Sequence, residues 1–136
     1  MRYLCLIHWN EDVLAELPPE EMNRLNTAHL ALNEQLIASG RFIEAEPLEG
    51  ADAATCLRVR DGRMQTTDGP FAETKEQVAG FYLLEARDLN DAIQVASRFP
   101  SAPYSTIEVR ACRQLVVDGV AQPSSSKSRK TLSNPA

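Results

Sequence analysis

Apolar and polar residues recur along this chain with the periods expected of a mixed α+β domain. Alternating or continuous apolar runs that end at polar or turn residues predict strands. The predicted strands run from Leu4 to Trp9, Arg41 to Glu46, Thr55 to Arg60, Arg63 to Thr67, Val78 to Ala86 and Tyr104 to Cys112. Apolar residues at steps of three and four predict helices from Pro19 to about Ser39 and from Leu89 to about Arg98.

The order of these elements predicts a fold class. Strand, helix, strands, strand, helix, strand is the order of the ferredoxin-like plan, an α+β fold in which two helices cover one face of an antiparallel sheet. Asp61-Gly62 between two predicted strands is a strong signal for a tight hairpin. The other face of such a sheet needs a cover, because a bare apolar face is unfavourable in water.

Length and composition predict one domain with a tail. The chain has 136 residues, which suits a single domain that buries a real core. We assign residues 1–113 to that domain and residues 114–136 to a mobile C-terminal tail, since the chain from Pro123 onward is rich in Ser, Lys and Pro. The net charge of −5 argues against a nucleic-acid partner, whose phosphates favour a basic surface.

The cysteines and the N-terminus indicate a cytoplasmic protein. Cys5, Cys56 and Cys112 are widely spaced and include no C-x-x-C pair, so neither a disulfide framework nor a zinc site is predicted. This usage fits a reducing compartment. The apolar run at the N-terminus is too short for a signal peptide, and no run has the roughly 20 apolar residues of a membrane span.

One loop carries a family resemblance. Asp68-Gly69-Pro70-Phe71, continuing to Gln77, resembles the signature of YCII-related proteins of the DGPF type. Gly80-Phe81-Tyr82-Leu83 and the run from Glu85 to Leu89 add to this likeness, which spans roughly residues 2–113. The resemblance implies a dimeric α+β barrel, in which two sheets pack face to face, and therefore a homodimer. It implies no organic cofactor.

His29 is the first candidate for chemistry. It interrupts an apolar helical stripe, and histidine titrates near neutral pH. By the resemblance, His29 stands where related proteins have the histidine of a proposed His–Asp dyad, while Phe99 occupies the usual place of the aspartate. Asp68 is then the candidate replacement that orients His29. The alternatives are a histidine hydrogen-bonded within packed structure and an Asp68 that only sets its turn.

Three further residues are candidates for lining a pocket. His8 ends the first predicted strand and would lie beside the pocket of His29. Phe71 is expected to anchor its loop in the core, and Tyr82 is either core or part of a binding surface. The two histidines and Asp68 show no tight metal-binding motif, so no metal is predicted.

Two functions from different classes follow. The first is a small-molecule enzyme in which His29 acts as acid or base in a barrel cleft, as the resemblance implies. The second is a non-catalytic ligand-binding or regulatory accessory module, which the resemblance links to an extracytoplasmic-function sigma factor. A hydrogen bond between His29 and Asp68 in an open cavity would favour the enzyme, and a sealed His29 would favour a structural role.

Overall fold

The computed structural model describes residues 1–123 of the chain. Its strands are β1 (Arg2–Asn10), β2 (Phe42–Pro47), β3 (Thr55–Arg60), β4 (Arg63–Asp68), β5 (Glu76–Glu85), β6 (Thr106–Ala111), β7 (Val116–Val117) and β8 (Val120–Ala121). Its α-helices are α1 (Glu11–Glu16), α2 (Pro19–Ala38) and α3 (Leu89–Ala96). Single 3-10 turns at Ala51–Ala53 and Ala102–Tyr104 complete these elements.

The central sheet confirms the predicted α+β, ferredoxin-like fold. Four strands form it in the order β2-β5-β1-β6, and each pair is antiparallel. The two middle strands, β1 and β5, pair with each other although they lie far apart in the sequence. Non-local pairing therefore holds the sheet together. A register shift interrupts the β1–β5 pairing between Ile7 and His8.

The two faces of the sheet differ sharply in burial. Alternate residues of β1 are buried on the face that the helices cover, namely Tyr3, Cys5, Ile7 and Trp9. The residues between them are only half-buried and lie on the other face, since successive side chains of a strand point in opposite directions. We call this second side the open face; it includes Leu4, Leu6 and His8.

Helix α2 forms much of the cover. Pro19 is its first residue, and its buried side chains are Leu25, Leu32 and Leu36, as the apolar stripe predicts. These leucines share one core cluster with residues of β1, β5 and α3. The helix ends where Gly40 takes a positive φ of 74°, a conformation that glycine adopts without a Cβ clash.

Helix α3 is fixed at its start by a buried carboxylate. Asp88 caps the helix by accepting a hydrogen bond from the Asp91 backbone N–H at 2.8 Å. Asp91 in turn accepts from the Arg87 backbone N–H and from the Arg41 guanidinium. These contacts hold the pKa of Asp91 down to about 2 and tie α3 to the start of β2.

The strands β3 and β4 form a ribbon separate from the central sheet. Asp61 and Gly62 both have positive φ at its tip, which confirms the predicted tight hairpin. Asp68 is the last residue of β4, and β5 begins at Glu76. The segment that was predicted as a loop from Asp68 to Gln77 is therefore shorter at both ends.

The C-terminal part begins with structure that the sequence pattern did not predict. The short strands β7 and β8 pair as a hairpin within the predicted tail of residues 114–136. The remainder of that tail, residues 124–136, lies outside the described residues, so its mobility stays a prediction. Within residues 1–123, no helix is both long enough and apolar enough to cross a membrane.

Candidate functional site

A cavity of about 420 Å³ lies where α2 faces the β2, β5 and β1 part of the sheet. Most of its wall is apolar. The apolar lining residues are Ile7, Trp9, Leu14, Met22, Leu25, Leu30, Ala45, Pro47, Leu48, Ala79 and Phe81. The polar lining residues are Asn26, His29, Asn33, Glu46, Tyr82 and Ser101. A concave apolar site with few polar groups is typical of small-molecule binding.

His29 is the centre of a hydrogen-bonded chain on this wall. Its Nδ1 lies 2.9 Å from the Tyr82 hydroxyl oxygen, and that hydroxyl donates to Asn33 Oδ1 at 2.6 Å. Because the phenolic proton is directed at Asn33, Nδ1 must carry the proton that the Tyr82 oxygen accepts. Nε2 is then the acceptor, and it lies 3.2 Å from the Ser101 hydroxyl, which donates to it.

The fold explains how these four residues meet. His29 and Asn33 are four positions apart on α2, so they lie on the same side of the helix. Tyr82 pairs with the buried Cys5 across β1 and β5, which directs its ring to the helix-covered face. Ser101 is brought to the site by the 3-10 turn that follows α3.

Burial keeps the two titratable members of the chain uncharged. Desolvation lowers the pKa of His29, because an imidazolium loses water contacts without gaining an anion. Desolvation also raises the pKa of Tyr82 to about 12. At neutral pH the site therefore presents a neutral imidazole whose tautomer is set by a neutral phenol.

An aromatic side chain replaces the carboxylate that the resemblance led us to look for. Phe99, which is only 1% exposed, stacks on Tyr82 with ring centroids 4.3 Å apart. Its ring centroid is also 6.3 Å from that of His29. The polar partner on this side of the imidazole is Ser101, two positions further along the chain.

Asp68 and His29 are not brought together. The hydrogen-bond partners of His29 are Tyr82 and Ser101, and Asp68 is absent from the wall of the cavity. Asp68 lines a separate surface depression at the end of β4. The predicted pairing is corrected because β4 belongs to the ribbon, whereas His29 packs against the central sheet.

His8 and Phe71 also lie away from the cavity. His8 is on the open face, where its Nε2 is 3.0 Å from Glu108 Oε1, because alternation along β1 turns it away from Ile7 and Trp9. Phe71 is 89% exposed and does not anchor its loop in the core. Tyr82 is the candidate pocket residue that does line the cavity.

Two members of the site escaped the sequence reasoning. Asn33 had a usable signal, since a polar residue four positions after His29 must lie beside it on the helix. No signal in the sequence marked Ser101, because only tertiary structure brings the turn after α3 to α2. Within residues 1–123, no group of three or more His, Cys, Asp or Glu side chains is arranged to hold a metal ion.

The fold and the cavity define a small α+β protein with a ferredoxin-like sheet and an apolar site under its long helix. The family model for the YCII-related domain matches residues 1–115, most of the chain. The chain therefore belongs to the YCII-related family.

Two known proteins are similar to this chain. An uncharacterised protein of Rhizobium meliloti (strain 1021) is 34% identical over 106 residues, which cover 78% of this chain and 86% of that protein. A solved structure of 5-chloro-2-hydroxyhydroquinone dehydrochlorinase from Burkholderia phenoliruptrix AC1100, in complex with 2,5-dihydroxybenzoquinone, covers 84% of this chain and 95% of its own. That likeness has 18% identity and a TM-score of 0.48.

Proposed function

We propose that this YCII-related protein is an enzyme that transfers a proton on a small molecule bound beside His29. The observation that carries this proposal is the hydrogen-bonded chain from Asn33 through Tyr82 and His29 to Ser101, on the wall of an apolar cavity. A neutral imidazole with a fixed tautomer is a general base that is ready to accept a proton at Nε2.

We assign a role to each residue of this hydrogen-bonded chain. The Tyr82 oxygen holds the Nδ1 proton, and Asn33 fixes the direction of the Tyr82 hydroxyl. A substrate reaches Nε2 either by displacing the Ser101 hydroxyl or through it. In the second case Ser101 gives its proton to Nε2 while it accepts the substrate's proton, so the hydroxyl is restored and His29 becomes the imidazolium.

The surroundings of His29 support proton transfer of this kind. The imidazolium has no carboxylate partner among its hydrogen-bond contacts, so it returns the proton readily to an intermediate or product. Apolar walls limit the access of water that would compete for the proton. A positioned acid or base contributes roughly 10²- to 10⁴-fold in rate.

One observation favours the alternative of a non-catalytic ligand-binding or regulatory accessory module. Both ring nitrogens of His29 already have protein partners, as a structural histidine would. In that case a ligand binds in the apolar cavity without proton transfer. A link to an extracytoplasmic-function sigma factor belongs to this alternative.

We also propose that a second copy of this chain covers the open face. Leu4, Leu6 and Leu83 form a half-buried apolar centre there, which is unfavourable to leave in water. The edges of this face carry charges of both signs, namely Glu44 on β2 and Arg110 paired with Glu108 on β6. The apolar centre between them is the part that the second copy would cover.

A screen on wild type and two variants tests the enzymatic proposal. A metabolite library is screened by thermal shift, and each hit is then incubated with protein and followed by mass spectrometry. We expect turnover of a hit by wild type and by the surface variant Ser97→Ala, and its loss in His29→Gln. Ser97→Ala is the control substitution, because the Ser97 hydroxyl contacts only the Gln94 carbonyl and Ser97 does not line the cavity.

The results separate the two functions. Hits that stabilise wild type but are never converted support the binding module. Turnover that persists in a folded His29→Gln protein overturns the role of His29.

A further inference from the structure

The ribbon of β3 and β4 has an apolar side that nothing in the chain covers. Residues directly opposite each other in an antiparallel pair share a side, so Leu57, Val59 and Met64 lie together. Their exposed fractions are 61%, 55% and 68%. A two-stranded ribbon is marginal without a packed face, and exposed apolar side chains that lie together mark an interaction surface.

The other side of the ribbon is basic. Arg58, Arg60 and Arg63 lie on it, and Arg60 pairs directly with Arg63 beside the tip. Like charges in opposite positions of a ribbon are destabilising. Among residues 1–123, none of these three arginines forms an ion pair. The ribbon therefore lacks an anionic partner as well as an apolar one.

A surface depression at the base of the ribbon has the complementary charge. Its volume is about 670 Å³, and the charged residues of its wall are Glu11, Asp12, Asp52, Asp68, Glu73 and Lys75. Phe71 belongs to the loop that forms part of this wall, and its ring is 89% exposed. We call this surface the acidic depression. It offers the ribbon both carboxylates and an apolar side chain.

The ribbon cannot reach the acidic depression of its own chain. Asp68, at the end of β4, lines the depression, whereas Arg63 begins β4 at the tip. An extended strand rises about 3.3 Å per residue, so roughly 17 Å separates these two residues. The matching depression must therefore belong to another copy. The overall charge agrees, since residues 1–54 and 69–123 hold 17 Asp and Glu against 8 Lys and Arg.

We propose that the ribbon of each copy docks on the acidic depression of a second copy, with its arginines near the carboxylates and its apolar side near the Phe71 ring. A two-fold arrangement makes this contact twice, because each copy supplies one ribbon and one depression. This inference rests on the second copy proposed for the open face. Exposed ion pairs contribute little individually, so the ribbons strengthen an association that the open face begins.

An exchange of charge between the two surfaces tests the contact. The ribbon variant carries Arg60→Glu and Arg63→Glu, and the depression variant carries Asp52→Arg and Glu73→Arg. Like charges then meet at both contacts of each homodimer, whereas a heterodimer of the two variants is matched at both. We expect each homodimer to dissociate at least about tenfold more readily than wild type in sedimentation velocity. In native mass spectrometry of the mixture, heterodimers should clearly outnumber homodimers.

Three further variants separate charge, apolar contact and folding. Arg98→Glu is the matched control for charge, because Arg98 is exposed and lies outside both surfaces, so the dissociation constant should change less than about twofold. Phe71→Ser should weaken the dimer about threefold without destabilising the single chain, since the ring is already exposed there. A peptide inserted at the Asp61-Gly62 tip should also leave the chain folded and weaken the dimer. Circular dichroism checks the fold of each variant.

The outcomes distinguish the ribbon contact from the rest of the proposed function. A wild type that stays monomeric overturns both the ribbon contact and the second copy at the open face. A wild-type dimer with an unchanged dissociation constant in the ribbon variant, or a mixture without preference for heterodimers, overturns the ribbon contact alone. Where the ribbon variant does not fold, the depression variant and Phe71→Ser remain decisive. Proton transfer is measured only in the turnover assay, so its failure is separate.

Discussion

One histidine lies on each side of the central sheet, and the two sites differ in chemistry. On the helix-covered face, His29 contacts only neutral groups, Tyr82 and Ser101, beside an apolar cavity. On the open face, His8 contacts the carboxylate of Glu108, which also pairs with Arg110. The covered face isolates an imidazole from charge, whereas the open face surrounds one with ions.

This contrast shows that the surroundings of a histidine, covered by α2 or on the open face, decide what it can do. A neutral imidazole with a fixed tautomer can accept a proton from a bound molecule. An imidazole that already faces a carboxylate in a charged cluster is engaged in an ion pair or hydrogen bond of its own. His29 is for this reason the better candidate, although both residues carry the same functional group.

The largest expected difference is in turnover. His29→Gln should lower the rate of any converted substrate by at least about 10²-fold, because the general base is lost. His8→Gln should change that rate by less than about twofold, since His8 does not line the cavity. Steady-state kinetics on both variants checks the pair. Comparable losses in the two variants would contradict the separation of the faces.

The next effect concerns association through the open face. Leu6→Asp places a charge in its apolar centre, and burial of an unpaired charge between two copies is strongly unfavourable. The protein should change from dimer to monomer in light scattering at micromolar concentration. Ile37→Asp is the matched control, since Ile37 is 60% exposed on α2 and lies outside this face. A monomeric wild type would exclude the second copy.

A smaller effect is expected from the hydroxyl that links His29 to Asn33. Tyr82→Phe leaves His29 Nδ1 and Asn33 without their shared partner in a buried site, at a cost of about 1–3 kcal/mol in the free energy of unfolding. Tyr3→Phe should cost less than about 0.5 kcal/mol, since its hydroxyl contacts only the Met1 sulfur at 3.8 Å. Urea denaturation measures both, and equal costs would argue against the hydrogen-bonded chain.

The smallest effect is a dependence of stability on pH. Desolvation lowers the pKa of His29 in the folded protein, so the unfolded chain binds more protons near the ordinary histidine pKa of about 6.5. The contribution of His29 is fully present above about pH 6.5 and is lost as pH falls through the lower pKa of the folded state. The difference in Tm between wild type and His29→Gln should shrink over that interval. A constant difference would show that the folded environment leaves His29 unperturbed.

The fold could be predicted from the sequence because the main sequence signals for its strands, helices and turns are periodic and local. Alternation along β1, the apolar stripe of α2 and the Asp61-Gly62 turn each depend on neighbouring residues. The helix α1 was missed because its six residues are too few to show a period, although Asn10 caps it.

The candidate site could be predicted only in part from the sequence, because its contacts are non-local. His29 was visible as a polar residue in an apolar stripe, but Ser101 lies 72 positions away and joins it only through the packing of α2 beside the turn after α3. Phe71 shows the reverse error. An apolar side chain in a loop suggested burial, yet the Phe71 ring is exposed.

The ribbon of β3 and β4 has a consequence for how this molecule fluctuates. Its two strands pair only with each other, and nearly every one of its residues is exposed. A two-stranded ribbon without a packed face is marginally stable by itself. Its amide hydrogens should therefore exchange with solvent far sooner than those of β1 and β5. The tip at Asp61-Gly62 is consequently the place where a peptide tag can be inserted with the least disturbance to the rest of the chain.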